Sequence, residues 1–266
     1  MHREPAVAGQ FYPANKDKLR DLIAGFIPQG ESRKVMGVVS PHAGYVYSGA
    51  VAGQTLAQAR IPDRVVILGP NHHGIGHRAA LYPAGCWKTP LGEVVIDEPL
   101  ARTLLERCSL LTEDPAAHRF EHSLEVQVPF LQFLNPQVRI VPICLGRINL
   151  AELMAFGREL GTCLKDIKED ILLVASSDMT HYESAAQARE KDTAAVEKIL
   201  ALDPEGLYQV VAARRISMCG VIPTVAMLAA CTELGARSAT LVRYANSGEI
   251  TGDTREVVGY AGLVIE

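Results

Sequence analysis

The chain has 266 residues, of which 48% are hydrophobic and 21% are charged, and its formal net charge is −4. This composition is typical of a folded globular protein and excludes a disordered chain. The slight acidic excess argues against nucleic acid as a partner, and no apolar run reaches the roughly 20 residues of a membrane-spanning helix. The N-terminus lacks the apolar core of a signal peptide, so we expect a cytoplasmic protein.

Hydrophobic periodicity predicts alternating strands and helices along the chain. In chain order we predict strands at 35–40 and 65–68, a helix at 121–134, a strand at 139–145, a helix at 150–164 and a strand at 171–175. Pro129 kinks or divides the first of these helices, and Asn149 caps the second. Three helices follow, at 185–200, beginning at Pro204, and at 221–234, and the last strands are at 240–244 and 257–265.

This alternation favours an α/β sandwich, in which helices flank a central mixed, partly parallel sheet. The sequence contains no repeat and no linker that would mark a boundary, so we expect one domain over residues 1–266. In such sheets, functional residues gather at the loops that follow the carboxyl ends of the strands.

Histidines follow three of the predicted strands. His42 follows the first, His72 and His73 follow the second, and Asp178 and His181 follow the strand at 171–175. If these strands are parallel, the three segments meet at one edge of the sheet, and we expect them to form a shared site.

Imidazole is the commonest metal-ligating side chain, and a mononuclear site that binds substrate usually has three protein ligands. His42 and one of the adjacent His72 and His73 could supply two of them, since neighbours on an extended loop point in opposite directions. The residues leave three candidates for the third ligand: Asp178, Glu121 and Cys219.

Cys219 precedes a predicted helix, whose free N–H groups would favour a thiolate there. The other five cysteines are irregularly spaced, and we expect them to be reduced thiols in the core. His122 lies in a first helical turn, where a cation is disfavoured, so we expect it to be neutral and to face a pocket. His118 lies in a polar loop, and we expect it to be solvated.

Seven segments, taken in order, resemble the Memo family, whose prokaryotic members are called AmmeMemoRadiSam system protein B. The segments are Ala8-Gly9-Gln10-Phe11-Tyr12-Pro13, Pro41-His42-Ala43-Gly44-Tyr45, Gly69-Pro70-Asn71-His72-His73, Glu121-His122-Ser123-x-Glu125, Ser176-Ser177-Asp178-x-x-His181, Met218-Cys219-Gly220 and Gly259-Tyr260-Ala261-Gly262. They span essentially the whole chain.

The resemblance implies a fold similar to that of the class III extradiol dioxygenases. By the family's pattern the metal ligands are His42, His72 and Cys219, and the additional histidine is His181. We expect His181 to act as the general acid/base, and Asp178 to orient it or to bind substrate. The substrate pocket would be lined by Tyr45, His73, Glu121 and His122. The resemblance implies one transition-metal ion, Fe(II) or copper, with zinc also possible, because a thiolate replaces the dioxygenase carboxylate and softens the site.

The leading hypothesis is therefore a metal-dependent oxidoreductase of unknown substrate. A non-enzymatic module that binds a peptide or a small anion in the same cleft is one alternative, and a zinc hydrolase is the other. The family name links such chains to a radical-SAM protein and an AMMECR1-like protein in a shared pathway, and an oligomer is compatible with the sequence. Elemental analysis would discriminate between the hypotheses.

Overall fold

The computed structural model describes residues 1–266. The strands are β1 (His2–Arg3), β2 (Gly37–Ser40), β3 (Arg64–Pro70), β4 (Ala79–Leu81), β5 (Cys86–Thr89), β6 (Gly92–Ile96), β7 (Thr112–Glu113), β8 (Arg139–Leu145), β9 (Ile171–Ser176), β10 (His181–Glu183), β11 (Ala239–Asn246) and β12 (Val257–Ile265). The helices are α1 (Lys16–Phe26), α2 (Tyr45–Gln58), α3 (Glu98–Arg107), α4 (Val128–Leu134), α5 (Leu150–Lys165), α6 (Ala185–Leu200), α7 (Pro204–Arg214), α8 (Val221–Glu233) and α9 (Gly248–Thr251).

All 12 strands form one mixed sheet, whose main path runs β1-β5-β6-β8-β3-β9-β2-β12-β10. The central pairs from β6 to β2 are parallel, whereas β12 pairs antiparallel with β2, β10 and β11. The predicted α/β sandwich with a mixed, partly parallel sheet is confirmed. Because β3, β9 and β2 are parallel neighbours, the segments that follow them leave from the same edge.

Both faces of the sheet are covered, since neighbouring residues of the central strands enter different cores. Val66 belongs to a cluster of 38 buried residues, and Val65 belongs to a second cluster of 30 on the opposite face. This arrangement explains why the central strands consist of continuous runs of apolar residues. It also gives the carboxyl edge of the sheet a rigid support on both sides.

The predicted strands and helices are present, most with ends within two residues of the expectation. The segment 121–134 is divided, but before Pro129: a 3-10 turn at Glu125–Gln127 leads into α4, and Pro129 lies in the first turn of that helix. The missing N–H of a proline has no cost at that position. Helix α2, which the periodicity did not predict, begins at Tyr45 directly after the Pro41–Gly44 segment.

The expectation that His118 is solvated is wrong. Its side chain is fully buried, and its Nε2 donates to the carbonyl of Ala80 at 3.0 Å. His118 ends a 3-10 turn over Pro115–His118, and its ring contacts those of Tyr82 and Trp87. Burial lowers the pKa of His118 to about 3. None of the helices is both long and apolar enough to cross a bilayer.

Candidate metal centre

The register of β2 and β9 brings His42 and Asp178 together. Ser40 pairs with Ser176 at the ends of these parallel strands, and His42 and Asp178 each lie two residues further along. The backbone N–H of His42 donates to Oδ1 of Asp178 at 2.8 Å, and the N–H of Ala43 donates to the same oxygen at 3.3 Å. Asp178 therefore fixes the start of the loop that carries His42.

His42 is 2% exposed, and its hydrogen bonds determine its tautomer. Nδ1 lies 2.9 Å from Oγ of Ser176, which donates its own proton to the carbonyl of Ser123 at 2.6 Å. The hydroxyl must therefore accept from Nδ1–H, and Nε2 keeps its lone pair. Burial lowers the pKa of His42 well below its ordinary value, so the ring is neutral, as a metal ligand must be.

His72 is oriented by Glu121. The backbone N–H of His72 donates to Oε2 at 2.7 Å, and Nδ1–H donates to Oε1 at 2.8 Å. Burial alone would raise the pKa of Glu121, but the hydrogen bonds from His72 and Ser123 hold it well below its ordinary range. The ionised carboxylate selects the tautomer in which Nε2 of His72 is free to bind a metal.

His122 completes a group of three imidazoles. Its ring stacks on that of His72 with centroids 4.8 Å apart and meets the edge of the His42 ring at 5.6 Å. One nitrogen from each of the three rings lies within 4.8 Å of the other two, so this group could hold a metal ion. Burial lowers the pKa of His122 to about 4, which agrees with the neutral ring expected from the sequence.

Cys219 lies beside His42 but is not part of the group of three imidazoles. Its Sγ is 3.2 Å from Nε2 of His42 and accepts from the N–H of Asp178 at 3.3 Å. The residue precedes Gly220, the N-cap of α8, as the sequence predicts. However, burial and the Asp178 carboxylate raise the pKa of the Cys219 thiol, and they outweigh the N–H groups of the helix start. Without a bound cation, the expected preference for a thiolate is therefore wrong.

His181 and Asp178 both line the cavity in front of His42. The N–H of His181 donates to Oγ of Ser217 at 2.7 Å, and Nδ1–H donates to the carbonyl of Ser217 at 3.0 Å, which leaves Nε2 with its lone pair. Burial raises the pKa of Asp178 to about 6 in spite of the hydrogen bonds that it accepts from the His42 and Ala43 amides. The carboxyl of Asp178 and the free Nε2 of His181 therefore face the same cavity as the imidazoles.

The cavity has a volume of about 550 Å³ and is open to solvent. Its walls carry aromatic side chains around the polar floor, namely Phe11, Tyr47, Tyr182 and Tyr260. Tyr182 is 75% exposed and has a φ of 58°, at an irregularity in the pairing of β10 with β12. A left-handed conformation is unfavourable for a bulky residue and recurs at functional sites.

Three of the expected substrate-binding residues lie elsewhere. Tyr45 is buried, and its hydroxyl donates to the carbonyl of Val126 at 2.7 Å, because its place at the start of α2 turns the ring into the core. Nε2 of His73 lies 3.0 Å from the carbonyl of Phe120, outside the cavity. Glu121 lies behind His72 and acts on that ring, not on the cavity. Of the four expected residues, only His122 lines the cavity.

Two buried residues that support the site were missed by the sequence analysis. Ser176 accepts from His42, and Gln127 donates its amide to Oγ of Ser176 at 2.9 Å and to the carbonyl of Pro41 at 2.9 Å. Ser176 was recognisable as the residue directly after the predicted strand at 171–175. Gln127 lies in an irregular 3-10 turn, where no periodicity reveals which way a side chain points.

The chain is similar to known proteins over nearly its full length. The family described as Memo-like protein matches residues 3–264. A MEMO1 family protein of Methanopyrus kandleri is 43% identical, and the alignment covers 99% of both chains. A MEMO1 family protein of Aquifex aeolicus is 43% identical over 98% of both, and that of Methanocaldococcus jannaschii is 40% identical over 99% of both.

A solved structure supports the same fold. The crystal structure of an uncharacterized protein from Escherichia coli K12 superposes with a TM-score of 0.53 and 16% sequence identity. It matches 87% of this chain and 100% of its own. At this identity the likeness concerns the fold alone.

Proposed function

Because the chain belongs to the Memo family, we propose that it is a metal-dependent oxidoreductase whose ion, iron or copper, is held by His42, His72 and Cys219. One observation carries the proposal. Nδ1–H of His42 donates to Ser176, and Nδ1–H of His72 donates to Glu121, and both acceptors are buried. The Nε2 of each ring is therefore free to bind a metal. Metal-binding histidines typically have such a second partner.

The third ligand is assigned to Cys219 because its Sγ lies 3.2 Å from Nε2 of His42. A bound cation would reverse the effect of burial and deprotonate this thiol. His122 is the competing third ligand, since its ring also lies within reach of both other imidazoles. We place His122 on the substrate side, because it lines the cavity whereas Cys219 does not.

A bound iron or copper ion would supply redox chemistry at the floor of the cavity. The protein's own residues then position substrate and move protons. His181, with Nδ1–H on the Ser217 carbonyl, can accept a proton at Nε2. Asp178 positions the His42 loop through two backbone N–H groups. The phenol rings of Tyr47 and Tyr182 offer a surface for an apolar or flat part of the substrate.

The first experiment is elemental analysis of protein purified without an affinity tag or added metal, followed by anaerobic reconstitution under reducing conditions. The proposal predicts stoichiometric iron or copper that is lost in His42→Ala and His72→Ala and retained in His73→Ala, the matched control outside the cavity. Redox-inactive protein with stoichiometric zinc at these residues would favour the hydrolase, and failure to bind any metal there would favour the binding module.

A further inference from the structure

A second group of potential ligands lies on an edge of the sheet, among strands β1, β5 and β6. It consists of His2, Cys86 and Glu93, whose ligand atoms all lie within 4.8 Å of one another. Neither the family's ligand positions nor the cavity described above includes any of them.

The strand register places the three side chains on one face. His2 pairs directly with Cys86 in the parallel β1–β5 pair, and Glu93 pairs with Lys88, two residues beyond Cys86 on the antiparallel neighbour. Side chains two residues apart on a strand share a face. Nδ1 of His2 therefore lies 2.9 Å from Sγ of Cys86.

The opposite face of these strands is the buried one. Arg3, Trp87 and Val94 point inward and are each at most 5% exposed. Cys86 is only 6% exposed although it is on the outer face, while His2 and Glu93 are exposed. The group thus has an inner sulfur and two outer ligands, and an ion bound there would keep one side open to water.

Two cationic groups, Lys88 and the N-terminal ammonium, lie near Cys86. Lys88 shares the face with Cys86, but its Nζ is paired with the carboxylate of Glu4 at 2.6 Å. Glu93 is the carboxylate that faces Cys86. A divalent cation would neutralise this carboxylate and the thiolate formed when Cys86 releases its proton.

We propose that His2, Cys86 and Glu93 form a second metal site that takes a zinc-type divalent cation, with water as the fourth ligand. One imidazole nitrogen, one thiolate and one carboxylate oxygen form a donor set that zinc accepts in tetrahedral geometry. Ligands of a tetrahedral zinc ion are about 3.3 to 3.8 Å apart, so the contact between His2 and Cys86 opens slightly on binding.

Such an ion would join β1 to β5 and β6. The residue after His2 is Arg3, whose guanidinium donates to the carboxylate of Glu125 and to the carbonyl of Glu121, each at 2.7 Å. Fixing β1 therefore also fixes the backbone beside Glu121, the partner of His72. The second site is structural in this account, and it stands independently of the proposed oxidoreductase activity.

The test uses Co²⁺ as a spectroscopic probe on the full chain, in a Cys219→Ser background that removes the thiol of the first centre. We expect a thiolate-to-cobalt charge-transfer band that saturates at one ion per chain. The double variant His2→Ala with Glu93→Gln should weaken binding at least tenfold. Both of its substitutions are at exposed positions, so the fold should persist.

The matched control is His77→Ala with Glu106→Gln, two exposed side chains away from the group, and it should bind as the background does. Cys86→Ser should abolish the band. Absence of a charge-transfer band in the Cys219→Ser background would overturn the proposal, as would a band that the His2 and Glu93 substitutions leave unchanged. Zn²⁺ should compete with Co²⁺ for the site and raise the melting temperature of the background more than that of the double variant, because both proteins keep the imidazoles of the first centre.

Discussion

Glu121 binds His72 through both of its carboxylate oxygens, one to the backbone N–H at 2.7 Å and one to Nδ1–H at 2.8 Å. Glu121 is 1% exposed, and no lysine or arginine pairs with its carboxylate. The pair therefore determines both the backbone position and the tautomer of His72.

Glu121→Gln should weaken metal binding because the amide cannot accept both hydrogen bonds on equivalent oxygens. We expect about a 10- to 100-fold loss of affinity, measured by competition with a chromophoric chelator. Urea unfolding should also show a loss of about 1–3 kcal/mol from the imperfectly satisfied buried group. Glu113→Gln, at an exposed position, is the control, and an affinity equal to that of this control would refute the role given to Glu121.

Ser176→Ala should destabilise the protein and the site together. The hydroxyl contacts His42, Gln127 and the Ser123 carbonyl, all of them buried. Its removal leaves Nδ1–H of His42 and the Ser123 carbonyl without a partner, whereas Gln127 keeps its bond to the Pro41 carbonyl. The expected cost is about 1–3 kcal/mol in the free energy of unfolding. Ser238→Ala changes an exposed serine and should have no effect. If both variants unfolded at the same urea concentration, the hydrogen bond to His42 would make no contribution to the stability of the protein.

How far the sequence predicts this site depends on the local structure. His42, His72 and Asp178 were recognisable because each follows a parallel strand, and the segments that follow parallel strands lie at the same edge of the sheet. His122 reaches the same place through an irregular segment and a 3-10 turn, which no periodicity describes. The fold could therefore be predicted from its alternating pattern. The sequence also indicated that His122 faces a pocket, but not that its ring stacks on His72.

Two errors have a related cause, because burial depends on distant segments of the chain. Tyr45 lies in a motif next to His42, yet the start of α2 turns its ring toward Tyr12 and Phe130 in the core. The Cys219 thiol lies at a helix start, but its burial raises the pKa more than the helix amides lower it. Spacing along the sequence gives the neighbours of a residue, not its exposure.

Cys219→Ser and His122→Ala decide which residue is the third ligand. We expect Cys219→Ser to weaken copper or iron binding at least 100-fold and His122→Ala to weaken it less than tenfold, since Cys219 contacts His42 directly at 3.2 Å. Both affinities are measured by chelator competition under anaerobic conditions. The reverse order would assign the position to His122, whose ring lies in the same group of imidazoles.

His181→Ala should retain the metal and lose turnover. The ring is held by Ser217 and not by the other histidines, so the metal affinity should remain within about threefold of that of wild type. His42→Ala, in contrast, should lose the metal. Turnover on any substrate found by screening should fall about 100- to 10,000-fold, the usual contribution of a general acid or base. Loss of the metal in this variant would make His181 a ligand instead.

Asp192 provides a pH prediction away from the metal centre. It accepts from the N–H of Thr180 at 2.9 Å and from the hydroxyl of Tyr244 at 2.7 Å, and burial raises its pKa. Because the folded protein binds this proton more tightly than the unfolded chain, the stabilisation is present at low pH and is lost as the pH rises through the folded pKa.

The free energy of unfolding of wild type relative to Asp192→Asn should therefore fall between about pH 4 and about pH 7. Urea unfolding at the two pH values measures this difference, and other titrating groups cancel because both proteins contain them. Asp21→Asn, an exposed carboxylate, should show no such trend. A difference that grew with pH would mean that the folded state lowers the pKa of Asp192.

Anomalous diffraction from crystals of anaerobically reconstituted protein, recorded at the iron, copper and zinc absorption edges, shows which metal His42 and His72 bind. We expect an iron or copper peak within bonding distance of Nε2 of both His42 and His72. No peak between these two nitrogens, or a peak there at the zinc edge alone, would contradict a redox metal centre in this protein.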